Sequence, residues 1–262
     1  MTLFHLSTAW LVVVLVAVVG GFTAIGIVVG RRVGARPDAE VEPVGVVQGT
    51  LLALVGLLLA FGLTMAVGRY EARRAVVVQE ANDIGTTYLR AQLLPEPART
   101  TSLELLKHYG DVAIDFADQV PFTDRFDADS ATFDSLQRDL WSAAGDAVRA
   151  DPTGTGPRLY VESLNDMIDT HTDRVASLRN RVPTPVMLLQ IGGSAIAVAV
   201  LAAYLAILGR SIVTSLLAAA VVIVILFVSS DLDRPQRGLI TVPYAALVEA
   251  RAAMDPPPAA GP

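Results

Sequence analysis

Carboxylates are the residues of this chain whose type and spacing could do chemistry, and they gather in three places. Glu80 and Asp83, with Asn82 between them, fall in one charged stretch. Glu162, Asp166, Asp169 and Asp173 fall in another, where Glu162, Asn165 and Asp169 at i, i+3 and i+7 project from one helix face. Asp231 and Asp233 follow the last apolar run. Oxygen donors converging from several elements are the set that Ca²⁺ takes. A solvated charged face explains the same residues without a metal. Two bare carboxylates repel, so side chains brought together here must share protons, bind arginine or bind a cation. Glu80, Asn82, Asn165 and Asp169 are expected to meet across two antiparallel helices, with Arg73 and Arg174 as the neutralising partners.

Nothing else reads as catalytic. Histidine occurs at 5, 108 and 171 only, and there is no HExxH pair, no phosphate-cradling loop and no Gly-x-Ser-x-Gly elbow. Cysteine is absent, which removes thiolate chemistry and a disulfide framework. No enzyme is expected. His171 lies on the apolar stripe of its helix, as a core histidine would or as a pH sensor would. The net charge of −6 gives no support for nucleic-acid binding.

The elements that must position these residues are helices, and four of them are membrane spans. Of 262 residues 53% are hydrophobic but only 6% aromatic, an aliphatic excess that marks a membrane protein. The excess is carried by runs at roughly Ala9 to Gly30, Gly45 to Val67, Pro185 to Gly209 and Ile212 to Ser230. Each has about 18 or more residues free of Asp, Glu, Lys and Arg, enough to cross a hydrocarbon core about 30 Å thick. Nothing basic precedes the first run and it is longer than a signal-peptide core, so it is expected to stay in the mature protein.

The short loops at Arg31 to Val44 and at Arg210 share one side of the bilayer. The long segment from Gly68 to Pro183 and both termini share the other. Near the spans that larger face carries Arg69, Arg73, Arg74, Arg174, Arg179, Arg181, Arg234 and Arg237, against Arg31, Arg32, Arg36 and Arg210 in the short loops. The positive-inside rule then places it in the cytoplasm of a multi-pass protein of the inner (plasma) membrane. The first span dissents, since all its basic residues follow it.

The long segment reads as four helices with no period-2 strands. The first, Tyr70 to Leu94, carries an apolar stripe at Val77, Ala81, Ile84, Tyr88 and Ala91. No turn residue separates it from the second span, so the two are expected to form one rod. The second covers about Thr101 to Gln119. The third runs from near Ser130 to Arg149, with Phe133, Leu136, Leu140, Trp141 and Ala144 toward the core. After the turn "ADPTGTGP" the fourth, Tyr160 to Pro183, steps through Val161, Leu164, Ile168, His171, Val175 and Leu178. The tail forms a short helix from about Pro243 to Met254, and its end, "PPPAAGP", is disordered by composition. The domain plan is 1–67 for two spans, 68–183 for a helical soluble domain, 184–230 for two further spans and 231–262 for the tail. The fold class is all-α.

In the second span Gly49, Ala53, Gly56, Ala60 and Thr64 recur at helical spacing and leave one face nearly flat. Such a face packs helices closely in lipid, or walls a pore. Gln48, near the outer end, is the side chain of this span that could contact an ion.

Three motifs, "LLALVGLLLAFGLTMAVGRYEARRAVVVQEANDIGTTYLRAQLLP", "YVESLNDMIDTHTDRVASLRNRVP" and "DLDRPQRGLI", resemble the bacterial bestrophin-like domain family across about Gly45 to Met254. The resemblance implies the layout of bestrophins: pentameric anion channels with four spans, cytoplasmic termini and a pore lined by the second span. It implies a homo-oligomer in the lipid bilayer that conducts small inorganic anions, with Arg69, Arg73 and Arg74 as a basic ring at the inner mouth. In bestrophins a Ca²⁺-binding clasp follows the fourth span, where this chain has only Asp231 and Asp233. Phe61 is the one aromatic of the second span, so the pore-narrowing aromatics of bestrophins are not matched. The alternative is a signalling or scaffolding protein whose soluble helices bind a partner or ligand.

Overall fold

The computed structural model describes residues 7–36, 42–121, 123–234 and 236–256. Of the end expected to be disordered, 256–262, residues 257–262 lie outside them. The described residues are all helix, turn and loop. Four stretches are long and apolar enough to cross a membrane. By contacts the chain divides into two compact units, residues 1–70 with 181–241, and residues 71–180 with 242–262.

The first unit contains helix α1 (Thr8–Gly34), the apolar part of α2 (Glu42–Ala91), α6 (Thr184–Ile207) and α7 (Ile212–Leu232). Helix ends are satisfied locally. Ser7 Oγ accepts from Trp10 N–H at the start of α1, and Ser211 Oγ accepts from Val213 N–H at the start of α7. The tight link between α6 and α7 depends on Gly209, whose φ of +66° is open to glycine at little cost. The N–H of Gly209 and of Arg210 then return to the carbonyls of Ala206 and Leu205.

Glycine also brings α1 against α6. Gly26 and Gly30 lie so close to the backbone of Ala199 and Ala203 that a Cβ at either would overlap a carbonyl oxygen. A Cβ at Gly34 would come 3.1 Å from Ile207 Cα. The spacing Gly-x₃-Gly-x₃-Gly puts all three on one face, which is how spans without a hydrophobic drive between them gain contact. Leu11, Leu15 and Val19 continue the seam into a core shared with Val55 and Leu59 of α2, Ile191 and Val198 of α6, and Leu226 of α7. Gln190 Nε2 of α6 donates to Leu58 O of α2 at 3.4 Å, a polar contact inside an apolar layer.

The second unit contains the charged remainder of α2, then α3 (Ala98–Asp115) with a 3₁₀ turn at Phe116–Asp118, α4 (Asp124–Ala150), α5 (Thr155–Arg179) and α8 (Ala245–Ala252). The expected stripe of α2 is buried at every position from Val77 to Ala91. It meets Leu106, Tyr109 and Phe116 of α3 and its turn, Phe126, Phe133 and Leu140 of α4, and Leu164 and Met167 of α5. Helix α8 closes this core with Leu247, and Met254 beyond it accepts from Tyr88 Oη through its carbonyl at 3.0 Å.

Several boundaries differ from expectation for identifiable reasons. Helix α4 begins six residues before Ser130 because Thr123 Oγ1 accepts from Phe126 N–H and caps it. Helix α5 begins inside the Gly-Pro turn, since Pro157 in a first turn lacks an N–H that would have had no partner anyway. Helix α8 starts at Ala245, two residues after Pro243. Trp141, assigned to the core from spacing, is instead 48% exposed, while Ala143, Ala144 and Ala147 take the inner face of α4.

The glycine contact yields a test. Gly30→Ala should destabilise the detergent-solubilised protein by about 1–3 kcal/mol, the usual cost of overpacking, because the clash is with backbone. Gly56→Ala, whose Cβ would have nothing within 4 Å, should leave the subunit's melting temperature unchanged.

Candidate functional site

The polar centre of the second unit is built around one fully buried carboxylate. Glu80 of α2 has 0% exposure, and an isolated ionised carboxylate in such a place would be too costly to keep. It is held by two partners from α5. Its Oε2 pairs with Arg174 Nη1, and its Oε1 lies 2.9 Å from His171 Nδ1. Arg174 also donates from Nη2 to Ala113 O of α3 at 3.3 Å and places its guanidinium 5.3 Å from the Phe116 ring centre. The His171 ring stacks on Phe133, centroids 4.0 Å apart. Burial pushes the Glu80 carboxyl upward, but Arg174 and His171 outweigh it and hold the group below the ordinary carboxylate value. Tyr109, against the same cluster, is pushed up by burial and by the Glu80 charge.

The wider quartet expected from sequence does not assemble. Asn82 is exposed, and Asn165 donates to Asp169 at 3.1 Å along the exposed face of α5. At 100° per residue, Asn82 stands about 200° from Glu80, and Asp169 about 200° from His171, so each pair occupies opposite faces. The polar seam uses Asp83 instead, which accepts from Thr170 Oγ1 at 2.7 Å. Of the expected neutralising partners, Arg174 serves Glu80. Arg73 does something different: it is 2% exposed and donates to Ser177 O at 3.2 Å and Asn180 O at 2.7 Å. Those are carbonyls at the C-terminal end of α5, where a cation is favoured by the helix dipole.

The expected basic ring therefore divides into three environments. Arg73 is a buried helix cap. Arg69 Nε lies 3.1 Å from Asp233 Oδ1. Arg74 is solvent-facing, 3.9 Å from Glu71.

Asp231 and Asp233 are buried in the first unit and hold backbone. Asp231 accepts from Leu239 N–H at 3.0 Å and Ile240 N–H at 2.9 Å, and Asp233 Oδ2 accepts from Val182 N–H at 3.1 Å. Oxygens committed to amide hydrogens and to Arg69 do not fit a Ca²⁺ site. Among the described residues no cluster of three or more His, Asp or Glu side chains could hold a metal ion.

In α2, Gly49, Ala53, Gly56, Ala60 and Thr64 all lie on a face exposed in the subunit, and Gln48 beside them is half-buried. The face that packs inside the subunit is another one, carrying Val55, Leu59 and Gly62. The glycine triplet of α1, the cap role of Arg73 and the pairing of His171 are additions to the sequence reading. Only the triplet had a readable signal, its strict spacing of four.

A family model for the Bestrophin-like domain matches residues 12–247, nearly the whole described chain. The chain belongs to the Bestrophin-like domain family. No curated protein and no solved structure matches it. The match joins the first span, both units and the start of α8 in one domain, and with the four apolar helices it makes this bestrophin-like chain a multi-pass membrane protein.

Glu80→Gln should destabilise the protein by about 3–5 kcal/mol, because it leaves Arg174 buried without its counter-charge. Asp169→Asn on the exposed face should change stability by less than about 0.5 kcal/mol. A carboxyl held low when folded contributes stability above its unfolded value and loses it as pH falls through its folded one. Acid melting curves should therefore show a loss below the ordinary carboxylate range that Glu80→Gln removes.

Proposed function

We propose that this protein is the subunit of an oligomeric ion channel, conducting small inorganic anions, with α2 lining the pore. The observation that carries the reading is the small-residue face of α2, Gly49 to Thr64, left open in a subunit whose family takes its name from ion channels. A face that admits backbone approach and is left exposed by the described residues suits contact with neighbouring copies or the wall of a conduit. Gln48 supplies a polar group near one end. The pentameric number comes from the bestrophin analogy alone. Arg74, seven residues beyond Val67 on the same helix, lies about 10 Å past the apolar run and is the member of the expected ring free to raise a local potential.

Purified protein in liposomes tests this directly. Chloride influx should be measurable above empty vesicles. Gly56→Leu should abolish the oligomer on a sizing column, and Arg74→Glu should lower chloride influx several-fold with oligomer size unchanged. A wild-type protein that elutes as a monomer and passes no ion would overturn the channel.

The larger polar face, with both termini, is assigned to the cytoplasm on the arginine asymmetry. Because the chain has no cysteine, Thr153→Cys in the exposed turn before α5 reports on sidedness. An impermeant thiol reagent should leave it unmodified in intact cells and label it after lysis.

The alternative, a signalling protein that senses a ligand, is favoured by a polar cleft of roughly 650 Å³ between α4 and α5, lined by Asp134, Gln137, His171 and Arg179 among others. Ligand-dependent stabilisation without ion flux would support it over the channel.

A further inference from the structure

The ring of His171 is fixed on two sides and has a third to offer. Its Nδ1 lies 2.9 Å from Glu80 Oε1, and one face lies on Phe133 with centroids 4.0 Å apart. Glu80, ionised beside Arg174, accepts there, so in the neutral imidazole the hydrogen sits on Nδ1 and the lone pair on Nε2. Nε2 has no hydrogen-bond partner among the described residues. His171 is only 6% exposed, yet it lines the cleft of about 650 Å³ between α4 and α5, and what remains accessible of it belongs to that cleft.

Other polar groups of the same cleft are also uncommitted. Gln137 of α4 donates from Nε2 to Tyr109 Oη at 3.4 Å, which leaves its carbonyl Oε1 without a partner among the described residues. Asp134, three residues earlier, is exposed and makes no hydrogen bond or ion pair among them. Arg179 of α5 has no carboxylate partner among them and stands 5.7 Å from the Phe126 ring centre, a contact that steadies it at the cleft. Asp134 and Arg179 therefore line one cleft without pairing across it.

The cleft thus presents three acceptors, the Asp134 carboxylate, Gln137 Oε1 and His171 Nε2, and one guanidinium fork. A primary ammonium carries three N–H donors and matches the first set, while a carboxylate matches the fork through two parallel hydrogen bonds. Opposite charges that are held apart in one cleft suit a ligand that carries both signs. Beside it a second hollow, of about 410 Å³, shares Asp134 and Gln137 and adds Trp141 and Ile168. Trp141 is the residue whose 48% exposure departs from the core position its spacing predicts, and here its ring walls a space next to the polar groups.

We propose that this cleft binds a free α-amino acid with an apolar side chain, its ammonium on Asp134, Gln137 and His171, its carboxylate on Arg179 and its side chain against Trp141 and Ile168. The inference rests on the ligand-sensing reading of the cleft and holds whether or not the protein conducts. A ligand on Nε2 bears directly on the Glu80 pairing that sets α2 against α5.

The chain has two tryptophans, so in a Trp10→Phe background Trp141 is the sole reporter. Its fluorescence in full-length protein in neutral detergent should change saturably with L-phenylalanine. 2-Phenylethylamine, which lacks the carboxylate, and 3-phenylpropanoate, which lacks the ammonium, should each bind about tenfold or more weakly. Asp134→Asn and Arg179→Gln, both at exposed side chains that the fold does not need, should each weaken L-phenylalanine by a similar factor, and Asp169→Asn, outside the cleft, should match the parent. Calorimetric titration of the same samples reads any binding that leaves Trp141 undisturbed. If one of the single-charge analogues binds as tightly as the amino acid, the zwitterion is overturned while a ligand cleft remains. Binding of L-phenylalanine that neither cleft variant alters lies elsewhere and overturns the site, as does no binding of the amino acid by either method.

Discussion

A carboxylate with no exposure is the constraint on which the helical unit turns. Glu80 can remain ionised in its core only while Arg174 and His171 are in place, and Arg174 can be buried only while Glu80 is. The pair fixes the rotation of α2 against α5. Arg174 extends the constraint to α3 through Ala113, and His171 extends it to α4 through Phe133. Four helices are thereby referred to one charge. The surrounding aromatics, Tyr109, Phe116 and Phe133, lower the local dielectric and so make each misplacement more costly. Interactions of this kind are better at specifying one arrangement than at adding stability, since a well-packed apolar trio in the same space would hold as firmly.

The membrane half follows a different logic. Close approach packs its spans together, and the buried Asp231 and Asp233 hold backbone at one end of them. The Gly26, Gly30 and Gly34 face of α1 lets it reach the backbone of α6, while the equally small face of α2 remains open. Two small-residue faces of similar composition thus have different fates within one subunit, and composition alone does not tell them apart. In α1 the glycines recur at a strict interval of four and meet alanines. In α2 the intervals are four, three, four and four, and the residues are a mixture of glycine, alanine and threonine.

Much of the fold was legible in the sequence because apolar periodicity reports burial. The α2 stripe from Val77 to Ala91 is buried at every position, and the four spans lie where the uncharged runs lie. Periodicity failed where burial is not apolar. On α5 it selected Val161, Ile168 and Val175, which are half-buried, over Met167 and Arg174, which are buried. A stripe drawn through aliphatic residues cannot include an arginine whose burial depends on a partner 94 positions away. The candidate site was legible only in part for the same reason. Glu80 and its partner Arg174 could be named, but Asn82, Asn165, Asp169 and Arg73 were grouped with them, because choosing among neighbouring polar residues requires the helix rotation that the pair itself sets.

That separation has a consequence for how the chain is made. Glu80 leaves the ribosome long before Arg174 is synthesised, and during that interval the carboxylate has no counter-charge with which to leave water. The first soluble helix can form as a local coil of hydrogen bonds, but its inner face cannot be sealed until α5 has emerged. Synthesis of α3 and α4 therefore proceeds beside an open, hydrated core, and the order of translation, as well as the final contacts, keeps this unit unfinished until the last of its long helices arrives.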